Sequence, residues 1–584
     1  GIAMRHYSTF LTTFFVFLFI FIFSAPSYSR SWIYNIGGMS NDVAYSLLTD
    51  LDMDSIPINY AIIGGETSSW GFGGNDACIM KYRINTTFPF ITYQWAHVIG
   101  NSLDDAGFCL TREFSGPLTN YILCGHAQNQ MPLNEDLFLA KYSNAGALRC
   151  MKSFDVNGSK QDDEARKIIV DFGGNYVITG NTFATDSSSD ILIAKFNSSC
   201  NPIWAYTAGL PGVRDVGRSI IQDPWGDYII LGYTNNGNMR DIVLTKISPT
   251  GAVLASRRIA GIREDYGWDL AVDLNDSNYV VTGWTRSFGA TFKADLLLFK
   301  INRPLTGILW SKVLTHTDTT VFGSEAGLDI GLAADGNFLV TGFTENYDDV
   351  NSDPEALYVE FDHSGNWVWA KIIPDVEMPN PDEIHSFVPP HVFYSNYLAA
   401  GFTQSNTFGT SGSDILLTSL NETSDICYQN IQPLVFDLQL SLDSFPQPEQ
   451  VNLDSTFFLK DSLFVPYQKR ICADDTGWTS IQIPQNQNST ANTSGIKFRI
   501  GGSSGISQNF YYNLPTQTSI VLRIYNVRGQ LVKTVLQRTQ GPGSYRVTWD
   551  GKSQVNLPVA SGIYFYQFIA GQNFVKYGRF AIIK

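Results

Sequence analysis

The chain has 584 residues, more than one ordinary core accommodates, so two or three domains are expected. Glycine (50 residues) and aromatic residues (14%) are abundant, while only 16% of the residues are charged. That mixture favours short strands and tight turns over helices. The formal net charge of −15 argues against a nucleic-acid-binding protein, which needs a cationic surface against phosphate.

The N-terminal segment has the pattern of an export signal. Arg5 and His6 precede an apolar run from Phe10 to Phe23, and small residues follow at 24–29. An apolar run of this length is shorter than the roughly 20 residues that a membrane-spanning helix needs. We interpret residues 1–29 as a signal peptide with a short upstream extension, which leaves no transmembrane segment in the mature chain. A retained membrane anchor is the alternative.

Seven cysteines then belong to a compartment that permits disulfides, and an odd number cannot all pair within one chain. Cys109 and Cys124 flank a predicted hairpin, and Cys427 and Cys472 bracket the region after the repeats. Both pairs are plausible bridges, although small buried thiols explain these positions equally well. None of the spacings matches a zinc site.

A repeated unit of about 50 to 60 residues dominates the chain. Its clearest copy is NYVVTGWTRSFGATFKADLLLFK at residues 278–300. A glycine near the end of one strand, usually in the pattern Gly-x-Thr, marks the copies at Gly65, Gly125, Gly180, Gly232, Gly283, Gly342 and Gly401. An acidic residue opens the apolar strand that follows, at Asp76, Asp136, Asp190, Asp241, Asp295, Glu355 and Asp414.

Each repeat contains four predicted strands, and this period is typical of a β-propeller blade. A strand at residues 31–37 precedes the first complete repeat, whereas the seventh repeat lacks its fourth strand. We therefore predict an all-β protein with a seven-bladed β-propeller over residues 30–425, closed when residues 31–37 supply the outer strand of the last blade. An open solenoid is the alternative. The repeats resemble those of secreted bacterial β-propeller families, a resemblance that implies the fold but not the activity.

The region after the repeats divides into two parts. Residues 426–496 lose the period and end in a polar tract, so we expect a spacer or small β element with a polar linker. Seven short strands separated by Gly, Pro and Asn turns follow from Lys497, which predicts an Ig-like β-sandwich over residues 497–584.

Three stretches of the C-terminal segment and the final lysine carry a resemblance to known domains. They are IYNVRGQLVKTV (524–535), YRVTWDGKSQ (545–554), VASGIYFYQF (559–568) and Lys584. The segment resembles the C-terminal sorting domain of type IX secretion substrates and the Ig-like domain of flagellar hook-capping proteins. The sequence departs from the sorting family in having ISQNFYYNLP where an Asn-Pro-Phe motif is common. The resemblance implies a bacterial protein that engages secretion machinery through this domain and is released or attached at the outer cell surface.

The sequence contains two sets of acidic residues, for which we predict different roles. Asp50, Asp52 and Asp54 place three carboxylates at alternate positions, an oxygen cluster that suits Ca²⁺, although an acidic hairpin turn is the favoured interpretation. We expect no other cofactor. An acidic residue also begins the inner strand of every repeat, where we predict that it caps the preceding loop. These residues are Asp42, Asp105, Asp163, Asp215, Asp265, Glu325 and Glu383.

Ligand-binding candidates lie where the repeats depart from their pattern. Trp70, Phe72, Phe288 and Phe292 belong to loops between second and third strands, where aromatic rings stack on sugars or anchor a protein partner; packing between loops is the alternative. His385 replaces the usual small residue at the entry to the seventh repeat.

Together these features predict a secreted or cell-surface binding or adhesion protein that recognises glycan or protein through one propeller face. Two alternatives remain open. One is an extracellular polysaccharide hydrolase or lyase, which would need two carboxylates about 5 to 10 Å apart in a cleft. The other is a structural surface-layer component. We predict no catalytic residue.

Overall fold

The computed structural model describes most of the chain beyond residue 30. The described ranges are 31–52, 58–85, 90–115, 118–129, 133–185, 188–236, 239–287, 293–315, 323–333, 335–345, 354–373, 382–389, 396–404, 412–420, 429–431, 434–437, 440–444, 447–451, 453–455, 460–463, 467–473, 497–500, 507–525, 531–553, 559, 562–570 and 574–582. These residues form β-strands and no helix, so the all-β prediction is confirmed. Within the same ranges there is no helix with the length and hydropathy needed to cross a membrane.

The first part of the described chain contains strands β1 to β28. Their bounds are β1 (Trp32–Gly37), β2 (Asp42–Asp52), β3 (Ile58–Thr67), β4 (Asp76–Ile84), β5 (Ile91–Gly100), β6 (Asp105–Ser115), β7 (Leu118–Gln128), β8 (Glu135–Ser143), β9 (Leu148–Val156), β10 (Asp163–Val170), β11 (Tyr176–Phe183), β12 (Ser189–Phe196), β13 (Pro202–Ala208), β14 (Arg214–Gln222), β15 (Tyr228–Asn236), β16 (Met239–Ile247), β17 (Val253–Ala260), β18 (Asp265–Val272), β19 (Tyr279–Thr285), β20 (Asp295–Ile301), β21 (Ile308–Thr315), β22 (Glu325–Leu332), β23 (Phe338–Glu345), β24 (Pro354–Phe361), β25 (Trp367–Ile372), β26 (Asp382–Val388), β27 (Tyr397–Thr403) and β28 (Asp414–Leu420).

These strands form seven antiparallel units of four strands each, and a single parallel bridge between Ser189 and Arg214 joins the third and fourth units into one sheet. In units one to six the strands pair in chain order, from β2–β5 through to β22–β25. The seventh unit contains β26, β27 and β28, and β1 completes it: Trp32 lies opposite Ser419 and Ile36 opposite Ile415. The two ends of the repeat region therefore meet in one sheet.

Neighbouring units contact one another in cyclic order. The first strand of each unit packs against strands of the preceding unit, as β6 does against β2 and β3. The same relation joins the seventh unit to the first, because β2 contacts β26 and β27. We refer to these seven units as the ring.

Packing between units explains why the middle strands of each unit have continuous apolar sequences rather than alternating apolar and polar residues. Every residue of β20 is buried, as is nearly every residue of β19. Because each sheet is covered by a neighbour on both faces, side chains that point in either direction enter a core.

Seven short strands after the ring run around its outside. They are β29 (Gln429–Ile431), β30 (Leu434–Asp437), β31 (Ser441–Ser444), β32 (Glu449–Val451), β33 (Leu453–Ser455), β34 (Lys460–Leu463) and β35 (Tyr467–Ala473). We call them the outer belt.

Each belt strand pairs antiparallel with the outermost strand of a different unit. In chain order the partners are β25, β21, β17, β13, β9, β5 and β1. The belt therefore visits the units in reverse chain order and covers the outer edge of each. Unpaired edge strands invite association with other chains, and short edge strands of three to seven residues such as these limit that liability.

The C-terminal domain contains the last seven strands. They are β36 (Lys497–Ile500), β37 (Gln508–Leu514), β38 (Thr518–Tyr525), β39 (Leu531–Gln540), β40 (Gly543–Trp549), β41 (Gly562–Ala570) and β42 (Phe574–Ile582). They form two antiparallel sheets, β36-β37-β40 and β39-β38-β41-β42. Side chains from both sheets, including Phe510, Trp549 and Phe568, share one core, which makes this part a two-layer sandwich.

The disulfide of the described chain joins Cys150 to Cys200 and so links the second and third units. Cys109 and Cys124 lie opposite each other on β6 and β7, as predicted, but they are buried free thiols. Cys427 lies outside the described residues, as does the side chain of Cys472.

Candidate functional site

Every unit has a β-bulge at the same point of its first strand. In unit one the register between β2 and β3 shifts between Ala44 and Ser46, so Tyr45 has no partner on β3. A bulge leaves the extra residue unpaired and redirects its side chain. The bulge residues of the seven units are Tyr45, Phe108, Arg166, Arg218, Trp268, Leu328 and His385.

All seven bulge side chains line one cavity of about 600 Å³, which we call the central cavity. Its volume lies within the range of roughly 300 to 1,000 Å³ that small-molecule sites occupy. Because the first strand of each unit packs against the neighbouring units, the seven bulges converge here from the whole ring.

One wall of the central cavity combines arginines with aromatic rings. The guanidinium carbon of Arg218 lies 4.5 Å from the centre of the Trp268 ring and 5.3 Å from that of Tyr266. Arg166 lies 5.1 Å from the Phe108 ring and forms an ion pair with Glu164. Burial lowers the pKa of Arg166, and the nearby charge of Arg218 lowers it further.

Another wall of the cavity carries stacked rings with carboxylate partners. The rings of Tyr45 and His385 stack with their centres 5.5 Å apart. The Tyr45 hydroxyl donates to Glu66 at 3.0 Å, and Nε2 of His385 lies 3.0 Å from Glu383. The side chains on this wall are therefore held in fixed orientations.

The floor of the cavity contains a buried carboxyl pair. Lys167 Nζ lies 3.3 Å from Asp269, which also accepts a hydrogen bond from Ser219. The backbone N–H of Phe387 donates to Asp329 at 2.8 Å. The pKa of Asp329 is raised well above its ordinary value by burial, by the hydrogen bond with Asp269 and by the negative charge of Asp269.

Asp269 behaves in the opposite way. Although burial alone would raise its pKa, the charge of Lys167 and the hydrogen bond with Asp329 hold it below its ordinary value. The pair therefore shares one proton, and its oxygens are engaged by Lys167, Ser219 and backbone amides. The two carboxyl groups are hydrogen-bonded to each other, unlike the separated carboxylates that glycoside hydrolysis needs.

Among the predicted ligand-binding residues, His385 lines the central cavity. Trp70 and Phe72 are half-buried in the loop between β3 and β4 and do not line it. Phe288 and Phe292 lie outside the described residues.

Sequence reasoning missed the six other bulge residues, although a signal for them exists. Each lies three residues after the acidic residue that begins the inner strand, at a position that holds Tyr, Phe, Arg, Arg, Trp and Leu in units one to six. A position that varies inside a constant frame is free of the demands of the fold, which makes it a candidate for specificity.

Five of the acidic residues that begin the inner strands accept a backbone N–H from the preceding turn, as predicted: Asp42, Asp105, Asp163, Asp215 and Asp265. Asp105 accepts the backbone N–H of Asn101 at 2.7 Å, and Asp215 accepts that of Leu210 at 2.6 Å. The seventh member is Asp382 rather than Glu383, because Asp382 lies opposite Thr403 where Asp42 lies opposite Thr67. The capping acid of the seventh unit therefore lies one position earlier in the chain than the sequence predicts. Glu383 instead lines the cavity.

The proposed calcium ligands are only partly described. Asp50 is buried and accepts a hydrogen bond from the Tyr121 hydroxyl at 2.6 Å. The side chain of Asp52 and the whole of Asp54 lie outside the described part of the chain. The calcium site stays a prediction.

A different group of side chains has the composition of a metal site. His126, Glu135 and Glu164 place one ligand atom each within 4.8 Å of one another. Nδ1 of His126 lies 3.9 Å from Glu135. The guanidinium group of Arg166 already forms an ion pair with Glu164, so a positively charged side chain is present at this cluster.

Comparison with known proteins identifies the C-terminal domain. Residues 498–571 match the profile of the FlgD Ig-like domain. This end of the chain is an Ig-like domain. This match confirms the Ig-like sandwich predicted from residue 497 onward, although it covers too little of the chain to assign a family to the whole protein. No curated protein matches the chain.

Solved structures with detectable similarity are remote. They include a Bacteroides caccae protein of unknown function (11% identity, covering 40% of this chain and 89% of that one, TM-score 0.24). Another is PorZ of Porphyromonas gingivalis, described as a bacterial surface component of the type IX secretion system (9% identity, covering 94% of this chain and 100% of that one, TM-score 0.25). A third is MPT-4, a mannose phosphorylase from Leishmania mexicana (8% identity, covering 48% of this chain and 87% of that one, TM-score 0.22). At these TM-scores the similarities support no conclusion about this chain.

Proposed function

We propose that this protein is an exported, surface-associated glycan-binding protein whose ligand site is the central cavity. The observation that carries the proposal is the bulge in all seven inner strands, which turns seven different side chains into one cavity of about 600 Å³. The backbone bulge is the same in every unit while the side chain that it carries differs, so a constant frame presents varied side chains where a ligand would lie. Half-buried aromatic rings such as Trp268 offer apolar faces to the C–H surface of a sugar ring.

The architecture that we propose for the whole chain has four parts. Residues 1–29 are a signal peptide, residues 30–425 a seven-bladed β-propeller, residues 426–496 the outer belt with a polar linker, and residues 497–584 the Ig-like domain. The propeller assignment is supported by the cyclic contacts between units and by the pairing of β1 with β28. The proposed export role of the Ig-like domain is supported by the motifs at 524–535, 545–554 and 559–568.

Glycan binding is tested with the purified mature protein on a polysaccharide array, followed by calorimetry on the best ligand. Trp268→Ala should weaken binding by at least about tenfold, since it removes an aromatic contact from the cavity wall. Trp225→Ala is the matched control, because Trp225 is half-exposed on the turn after β14 and does not line the cavity. Equal affinity of both variants would show that the ligand binds elsewhere.

Product analysis in the same experiment separates binding from turnover. New reducing or unsaturated ends would favour the hydrolase or lyase alternative. A ligand recovered intact supports a binding protein.

The export role is tested in the native bacterium. Deleting residues 497–584 should abolish display at the cell surface while the ring still folds. Unchanged surface display would show that the Ig-like domain has no role in export and serves only as a structural module.

A further inference from the structure

One guanidinium of the arginine wall, that of Arg218, has no carboxylate partner among the described residues, whereas Arg166 pairs with Glu164. Within the described chain, no carboxylate lies within ion-pair distance of Arg218 or Arg240. The Nε atom of Arg218 is buried and has no hydrogen-bond partner among the described residues. Arg240 lies 5.8 Å from the ring centres of both Tyr233 and Tyr266, the rings that also flank Arg218.

Removing a guanidinium from bulk water without a compensating partner is unfavourable. Here the penalty is increased by repulsion, because Arg166 and Arg218 line the same cavity and the charge of Arg218 contributes to lowering the pKa of Arg166. A bound anion would relieve both effects. The planar guanidinium fork matches the two oxygens of a carboxylate and also binds sulfate well.

We propose that the central cavity selects an anionic saccharide, whose carboxylate or sulfate group binds between Arg166 and Arg218 while its ring packs against the aromatic wall. This inference rests on the proposed glycan-binding function and names the chemical class of the ligand. Arg218 is the residue that determines specificity, because among the two arginines at the bulge position it is the one without a carboxylate partner among the described residues, whereas Arg166 pairs with Glu164.

The test compares three oligosaccharides of equal length by calorimetry with the full mature chain. The probes are an oligogalacturonate, a sulfated oligogalactan and the neutral oligogalactan. The acidic probes should bind at least about tenfold more tightly than the neutral one, as expected for charge-assisted hydrogen bonds, and raising the salt concentration should weaken them selectively. Preference for the oligogalacturonate assigns a carboxylate ligand, and preference for the sulfated probe assigns a sulfate.

Three variants locate the charge. Arg218→Gln should lose at least about tenfold in affinity for the acidic probe and little for the neutral one. Arg218→Lys should lie between, since it keeps the charge but not the fork. Arg258→Gln is the control, because Arg258 lies on the outer strand β17 and pairs with Asp241 and Asp443.

Each remaining outcome is decisive. If acidic and neutral probes bind equally and Arg218→Gln changes neither, the anion site is wrong while glycan binding stands. If none of the probes and no glycan on the array binds, both proposals fall. Should Arg218→Gln fail to fold, the salt dependence of the parent protein and the Arg218→Lys affinity decide the question.

Discussion

Lys195 donates a hydrogen bond from its Nζ to the hydroxyl of Tyr228, 2.9 Å away, across the boundary between the third and fourth units. Asp171 completes the contact, because it lies 2.8 Å from Lys195 and accepts the Tyr228 hydroxyl at 2.8 Å. All three side chains are buried. The arrangement recurs with Lys81, Tyr121 and Asp50, and with Lys246, Tyr279 and Asp223.

Breaking this contact should destabilise the ring. Tyr228→Phe removes one hydroxyl from the buried group and should cost about 1 to 2 kcal/mol in the free energy of unfolding. Lys195→Met leaves the Asp171 carboxylate buried without its cation and should cost about 3 kcal/mol or more. Urea denaturation measures both.

The exposed Lys160 provides the control, since Lys160→Met removes a charge that is not buried. If Lys195→Met is no more destabilising than Lys160→Met, the inter-unit contact contributes nothing to stability.

The carboxyl pair in the cavity floor leads to a second prediction. Lys167→Met removes the cation that faces Asp269 and should cost about 3 to 5 kcal/mol, because a buried carboxylate is left uncompensated. Asp329→Asn should cost no more than about 1 kcal/mol, since the amide keeps a donor towards Asp269 without needing a proton. The reverse order in thermal or urea denaturation would contradict the shared-proton arrangement.

Paired acidic residues at the unit boundaries predict the dependence of stability on pH. Asp414 and Asp42 flank Gly37, where a Cβ atom would collide with both carboxyl groups. Burial, together with the charge of Asp42, raises the pKa of Asp414 to about 7. Burial likewise raises the pKa of Asp105 to about 7, with Asp76 adding to the effect.

A carboxyl group with a raised pKa in the folded state holds a proton there after the unfolded chain has lost it. These groups therefore contribute most to stability below about pH 4, and that contribution falls as the pH rises towards about 7. Asp171 affects stability in the opposite direction. Burial would raise its pKa, but hydrogen bonds from Lys195, Asn175 and Tyr228 outweigh burial and lower it, so the contribution of Asp171 to stability is lost at low pH.

The melting temperature should consequently reach its maximum between about pH 4 and 6 and decline towards pH 8. Asp414→Asn should reduce the decline, whereas Asp335→Asn, at an exposed turn, should leave it unchanged. A melting temperature that rises from pH 5 to pH 8 would contradict the raised pKa values.

The outer belt should be necessary for a soluble ring. A chain ending at residue 425 lacks all seven belt strands and exposes the outer edges of the units, so it should aggregate. A chain ending at residue 496 keeps the belt and loses only the Ig-like domain, so it should remain monomeric in size-exclusion chromatography. Equal solubility of the two chains would show that the belt is dispensable.

Some features of this protein follow from the sequence because they depend on local, repeated patterns. Strand composition, Gly-x-Thr spacing and turn residues predict an all-β chain, and the motifs after Lys497 predict the Ig-like domain, which the comparison confirms. The capping acids were also recognisable, since the same side chain must satisfy the same turn in each unit.

The tertiary structure decided the rest, because the decisive contacts join residues far apart in the chain. The belt strands contain three to seven residues each and show no alternation, so only their pairing with seven distant edges makes them strands. The buried role of Lys195 depends on a tyrosine in the next unit. The central cavity depends on seven bulges meeting at one place: a one-residue shift in register selects which side chain turns inward, and no single repeat reveals that its neighbours do the same.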